Sequence, residues 1–140
     1  MRQILLFAAL AASLALLSAC ALSRANEDKA EDMTDKAAYH KLSAEEAYEM
    51  MASQEVVVAD VRTREEYDGG HIENAVLVPN ESIDSEMPEA LPDKEATLLV
   101  YCRSGRRSKD AAQKLLKLGY QSVYDFGGII DWPYELVKEG

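Results

Sequence analysis

Cysteine, histidine and tryptophan are scarce in this 140-residue chain, which contains two cysteines, two histidines and one tryptophan. A protein metal site normally needs three or four ligands, and two separated histidines with so few thiols do not supply them. The scarcity of these residues excludes an ordinary metal centre, so we expect no bound metal. Each of the two cysteines, Cys20 and Cys102, needs its own explanation.

Positive charge is also in short supply, with 15 lysines and arginines against 25 aspartates and glutamates and a formal net charge of −10. The phosphates of a nucleic acid would be repelled by this balance, and so would an anionic lipid surface. We therefore expect no nucleic-acid partner. Any attachment to a membrane must come from something other than charge.

Long hydrophobic runs are absent apart from one at the N-terminus, which spans residues 4–17. The run follows a short segment with a single positive charge and is too short for an ordinary transmembrane helix. It ends in Leu17-Ser18-Ala19-Cys20, which resembles the lipobox of bacterial lipoproteins, where the cysteine is acylated and becomes the new N-terminus. We expect residues 1–19 to be a signal peptide and Cys20 to carry a lipid anchor. A plain signal peptide cut elsewhere is the alternative.

The segment after Cys20 is rich in small and acidic residues and has no apolar period. We expect residues 20–38 to form the lipidated N-terminus and a flexible acidic tether, and residues 39–140 to form one folded domain. The lipid would hold this domain at a membrane of the bacterial cell envelope, on the periplasmic side. The residue after Cys20 is alanine, whereas some lipoproteins that stay in the inner membrane have an aspartate there, so Ala21 favours the outer membrane. Nothing in the sequence indicates the oligomeric state.

The second cysteine, Cys102, lies between a predicted strand and a predicted helix. The preceding residues, Thr97–Tyr101, are β-branched, apolar or aromatic, which is typical of a covered strand. Residues 109–118 have apolar side chains at helical spacing, and Gly119 is placed to end that helix. Cys102 is therefore expected at the carboxyl end of a strand, where ligands bind in parallel sheets.

This position gives the thiol of Cys102 a specific chemistry. The first turn of a helix has unpaired backbone N–H groups and the positive end of the helix dipole. At such a place the pKa of a cysteine falls from about 8.5 to roughly 3.5–7.5, so we expect a reactive thiolate at neutral pH. The same groups can hold an anion against the sulfur. The predicted anion-binding residues are Arg103, Ser104, Gly105, Arg106 and Arg107.

Strands and helices alternate along the rest of the domain. Ser43 with Glu46, and Thr63 with Glu66, have the spacing of capping boxes and predict two helix starts. A last helix is expected from Ile129. This alternation predicts an α/β fold with a central, mostly parallel β-sheet and helices on both faces. The remaining strands are expected at residues 39–42, 56–61, 75–78 and 123–125.

Three ordered motifs stand along the domain: the loop Cys102-Arg103-Ser104-Gly105-Arg106-Arg107, the upstream residues Asp60-Val61-Arg62, Glu66-Tyr67, Gly70-His71-Ile72, Asn74-Ala75 and Val78-Pro79, and the closing Gly127-Gly128-Ile129-Ile130-Asp131-Trp132. Together these motifs resemble those of the rhodanese family, the thiosulfate sulfurtransferases. The resemblance implies the rhodanese-like fold over residues 39–140. It also implies a sulfurtransferase that takes sulfur from a small anionic donor such as thiosulfate, stores it as a Cys102 persulfide and passes it to a thiol or other acceptor. Such chemistry needs no metal or organic cofactor.

Two alternatives remain open for the Cys102 loop. Cysteine-dependent phosphatases and arsenate reductases share the strand–cysteine–loop–helix design, but their pattern has an arginine after five intervening residues. Here Ser108 occupies that place, and Arg107 comes one position early. The other alternative is a rhodanese-like module that carries sulfur or binds a partner without turnover.

Three further polar residues are candidates for either catalysis or structure. Asp60 and Arg62 lie at the end of a predicted buried strand, where a polar network that holds the loops is the favoured interpretation. His71 could act as a general base, but a structural role in its Gly-His-Ile turn is favoured.

Overall fold

The computed structural model describes residues 38–138. The predicted signal peptide, the predicted lipid-anchor residue Cys20 and all of the predicted tether except Ala38 lie outside these residues. Within them, no helix combines the length and the apolar character needed to cross a bilayer.

Five parallel strands form the central sheet, in the spatial order β1-β5-β4-β2-β3. The prediction of a parallel α/β sheet is therefore confirmed. The central strand β4 is covered on both faces, and its residues from Leu98 to Tyr101 are fully buried, as its apolar sequence predicts. The strands are β1 (His40–Lys41), β2 (Val57–Asp60), β3 (Val76–Leu77), β4 (Thr97–Cys102) and β5 (Ser122–Gly128).

Helices cover both faces of the sheet, as predicted. Helix α3 (Arg106–Lys117) contributes Ala111, Ala112 and Leu115 to the core on one face. Helices α1 (Ala44–Ser53) and α2 (Arg64–Asp68) contribute Ala47 and Tyr67 to the core on the other.

Both predicted capping boxes are present. Ser43 caps α1 with Glu46, and Thr63 caps α2 with Glu66. In each pair, the backbone N–H of one residue donates to a side-chain oxygen of the other. These reciprocal bonds satisfy two of the N–H groups that a helix start leaves unpaired.

The predicted last helix from Ile129 is wrong. The chain there makes only a 3-10 turn, Ile129–Asp131, and Trp132 is extended, with φ −80° and ψ 112°. Pro133 explains the difference, because a proline disfavours helical geometry in the residue before it and has no N–H to continue a helix. Strand β5 in turn runs longer than predicted and reaches Gly128.

Candidate functional site

Cys102 is the last residue of β4, and helix α3 begins four residues later at Arg106. The backbone N–H of Gly105 donates a hydrogen bond to the sulfur of Cys102, with 3.0 Å between nitrogen and sulfur. Gly105 has φ 102°, a left-handed conformation that glycine adopts without steric cost. The loop therefore folds back so that the Gly105 amide points at the sulfur.

The loop lowers the pKa of the Cys102 thiol. Burial opposes this, because the residue is only 1% exposed and burial disfavours a thiolate. Hydrogen bonds from the backbone N–H groups of Ser108, Gly105 and Ser104, and from the Ser108 hydroxyl, outweigh the burial, so the pKa lies below its ordinary value. A lowered pKa increases the thiolate fraction near neutral pH, and the thiolate is the nucleophilic form.

Gly128 at the end of β5 lets the loop approach the sheet. Cys102 pairs with Gly128 across an irregularity in the β4–β5 register. A Cβ atom on Gly128 would collide with the carbonyl oxygen of Arg103 and lie 2.6 Å from the Cα of Ser104. The loop backbone thus packs directly on a position that only glycine can occupy.

The three loop arginines have different surroundings. Arg107 makes a bidentate ion pair with Glu66 of α2, with both nitrogen–oxygen distances at 2.8 Å. Hydrogen bonding from Arg107 lowers the pKa of Glu66 to about 2, so the pair is ionised at neutral pH. Arg103 and Arg106 are exposed. Arg107 therefore joins α2 to α3, while the other two guanidinium groups face solvent.

A groove of about 370 Å³ lies beside the loop. Its lining includes the apolar side chains of Ile129, Ile130 and Leu136 and charged residues such as Arg103 and Glu65. The backbone N–H of Ile130 donates to the carbonyl of Arg103 at 3.3 Å, which connects the apolar part of the lining to the Cys102 loop.

Asp60 and Arg62 form a buried network. Arg62 donates from Nε and Nη2 to the Asp60 carboxylate at 2.9 and 2.6 Å, and the Tyr101 hydroxyl donates to the same carboxylate at 2.6 Å. Arg62 also donates to the carbonyl of Gly70 at 2.8 Å. These contacts join the ends of β2 and β4 to the loop after α2, which supports the structural interpretation.

His71 has structural contacts. Its Nδ1 lies 2.9 Å from the carbonyl oxygen of Tyr67, and its ring stacks on the Tyr67 ring with centroids 3.7 Å apart. Its backbone pairs with Val137 in an isolated bridge. The structure thus favours the structural role over that of a general base.

Ser108 and Asp125 are site residues that the sequence analysis does not identify. Both are fully buried, and the Ser108 hydroxyl donates to Asp125 Oδ1 at 2.7 Å. No local spacing links α3 to β5, so this contact has no sequence signal.

In residues 38–138, no group of three or more histidine, cysteine, aspartate or glutamate side chains could hold a metal ion.

Comparison with known families identifies the class of protein. The rhodanese-like domain family matches residues 43–133, and the chain belongs to that family. It is 32% identical over 106 residues to the tRNA uridine(34) hydroxylase of Yersinia pestis. The aligned residues cover 72% of this chain and 30% of that protein. The chain thus spans about a third of the length of the curated relatives it matches.

Solved structures support the same fold. The rhodanese with anions from E. coli has a TM-score of 0.55 and 34% identity, over 61% of this chain and 100% of the other. A human single-domain sulfurtransferase has a TM-score of 0.60 and 27% identity, over 66% of this chain and 93% of the other. Relatives in this family thus include enzymes, and sulfur transfer is among their activities.

Proposed function

We propose that the protein is a sulfurtransferase that moves sulfane sulfur through a persulfide on Cys102. The observation that carries this proposal is the Cys102 sulfur at the end of β4, with the Gly105 N–H 3.0 Å away and the start of α3 behind it. A thiolate held in this way is a nucleophile placed inside a set of anion-binding amides.

The proposed reaction has two half-reactions. The Cys102 thiolate attacks the outer sulfur of thiosulfate, a new S–S bond forms, the original S–S bond breaks, and sulfite leaves with its electron pair. A nucleophilic acceptor then attacks the outer sulfur of the persulfide, and Cys102 leaves as the thiolate. The loop amides stabilise the negative charge in both steps, and ping-pong kinetics follow.

We assign the donor as a small anion, which the exposed Arg103 and Arg106 would attract. The curated relatives named for tRNA are matched over 30% of their length, and the net charge of −10 opposes RNA binding by this chain. The acceptor is proposed as a thiol or another sulfur nucleophile.

The proposal predicts that thiosulfate adds one sulfur atom to the protein. The full chain with Cys20→Ser has Cys102 as its only thiol. Incubated with thiosulfate, gel-filtered and weighed by mass spectrometry, it should gain one sulfur that cyanide removes. The same chain with Cys102→Ser added should gain none. An unchanged mass while iodoacetamide still alkylates Cys102 would contradict thiosulfate transfer and favour a carrier or a phosphatase.

We propose further that a lipid on Cys20 holds the protein in the bacterial cell envelope, on the basis of the apolar run and the residues 17–20. Expressed in a Gram-negative host, the protein should sediment with membranes, preferentially outer membranes. The Cys20→Ser variant should move to the soluble fraction, whereas the Cys102→Ser variant should stay with the membranes. Equal sedimentation of the wild-type chain and the Cys20→Ser variant would contradict the lipid anchor.

A further inference from the structure

A fully buried carboxylate, Asp125, lies behind the Cys102 loop. Its Oδ1 accepts hydrogen bonds from the Ser108 hydroxyl at 2.7 Å and from the Gly127 N–H at 2.9 Å. Its Oδ2 accepts from the Tyr39 hydroxyl at 2.6 Å and from the Lys41 ammonium at 3.2 Å. One buried carboxylate therefore accepts from four donors, and one of them, Ser108, lies in the first turn of α3, directly after the Cys102 loop.

Ser108 connects this carboxylate to the Cys102 loop. Its hydroxyl donates to Asp125 Oδ1 at 2.7 Å and lies 3.1 Å from the carbonyl oxygen of Gly105, whose N–H donates to the Cys102 sulfur. A serine hydroxyl has a single proton to donate, and Asp125 is its nearest acceptor. The charge of Asp125 therefore lies one side chain away from the loop that holds the sulfur.

Lys41 supplies the positive charge that neutralises Asp125, with 3.2 Å between its Nζ and the Oδ2 of Asp125. The two residues are register partners in the parallel β1–β5 pair, although 84 positions separate them in the chain. The Lys41 Nζ is close to two glycines of the site. A Cβ atom added to Gly127 would lie 3.2 Å from it, and a Cβ atom added to Gly105 would lie 4.0 Å from it. Its positive charge is therefore next to the glycine whose N–H donates to the sulfur.

Tyr39 is a second, neutral donor to Asp125. Burial and the hydrogen bond to Asp125 raise the pKa of Tyr39 well above its ordinary value. Its hydroxyl is therefore protonated at neutral pH and donates to Asp125. The only formal positive charge in contact with Asp125, among the residues that the structure describes, is therefore Lys41.

We propose that Lys41 and Asp125 are positioning residues for sulfur transfer: Lys41 neutralises Asp125, so that the buried carboxylate behind the loop does not repel the Cys102 thiolate. This inference rests on the proposed function for its catalytic meaning. Lys41 and Asp125 act on Cys102 through their electric field. Without Lys41, the uncompensated carboxylate would repel the thiolate.

The test measures the thiolate directly, so that it is independent of any sulfur donor. The rate of Cys102 alkylation by iodoacetamide is followed against pH in the full chain with Cys20→Ser. Lys41→Met is expected to raise the pKa of Cys102 and to slow alkylation below that pKa about three- to tenfold, since one pKa unit is a tenfold change in thiolate fraction. Adding Asp125→Asn to Lys41→Met should restore the original profile, because the buried charge is then gone.

Two matched variants separate positioning from folding. Lys41→Arg keeps the charge and should keep the original profile. Lys117→Met makes the same charge change in the last turn of α3 and should also leave it unaltered. The other charges of the loop and its contacts, namely Arg103, Arg106 and the Arg107–Glu66 pair, are the same in every variant.

An unshifted profile in Lys41→Met, or a shifted one that Asp125→Asn does not restore, would overturn the positioning role. Failure of thiosulfate to load the protein would instead contradict the proposed function and leave this alkylation result standing. Where thiosulfate does load, the loading rate should follow the same order as the alkylation rate.

Discussion

Replacing Gly128 by alanine is expected to lower the rate of sulfur loading on Cys102 about a hundredfold, the scale of loss that misplacement by about 1 Å can cause. Gly128 has φ −122°, which alanine adopts freely, so the effect would come from contact alone. The added methyl group would meet the backbone of Arg103 and Ser104, and backbone cannot turn aside as a flexible side chain can. The loop amides would move away from the sulfur.

The measurement is the initial rate of persulfide formation with thiosulfate, corrected for the folded fraction. Gly119→Ala is the control, because Gly119 has φ 95° and lies just after α3, with only the Lys94 side chain nearby at 3.8 Å. That variant should lose about 1–2 kcal/mol of stability from the left-handed backbone and keep its loading rate. A Gly128→Ala protein that loads sulfur at the wild-type rate would show that the loop does not depend on this contact.

Replacing Asp60 by alanine is expected to lower the free energy of unfolding by about 3–5 kcal/mol, the cost of leaving a buried charge without its partner. Arg62 is only 5% exposed and Asp60 is fully buried, so water cannot replace the lost carboxylate. The total free energy of unfolding of a natural domain is about 5–15 kcal/mol, so the variant would be close to unfolding. Urea denaturation measures the change.

The exposed ion pair of Arg64 and Asp68 provides the comparison for Asp60. Its atoms are 3.7 Å apart, and both side chains are about half exposed or more. Asp68→Ala should therefore change stability by no more than about 0.5 kcal/mol. If Asp60→Ala lost as little as Asp68→Ala, the buried network would not stabilise the fold.

The sequence predicts most of the fold because its signals are local. The apolar run before Cys102, the two capping boxes and the glycine of the loop each act over a few residues, and the structure has the corresponding strand, helix starts and turn. The helix expected from Ile129 fails for a local reason too. Apolar content near the C-terminus favours a helix, but Pro133 prevents it.

The long-range contacts that hold the site in place could not be predicted in the same way. Arg107 with Glu66, and Lys41 with Asp125, are separated by 41 and 84 positions, and only the strand order brings them together. The roles of Arg103, Ser104, Gly105, Arg106 and Arg107 in binding an anion stay predictions. What the structure adds is that Arg107 is engaged by Glu66, so Arg103 and Arg106 have the freer guanidinium groups.

The shortness of the two outer strands of the sheet affects how copies of this domain would meet one another. Strands β1 and β3 are each only two residues long, so each edge offers a neighbouring molecule very few backbone groups to pair with. Short edges of this kind protect β-sheets from joining one another and aggregating. A domain concentrated by a lipid on a membrane surface, as we propose, would meet its own copies often, and these short edges would keep the copies separate.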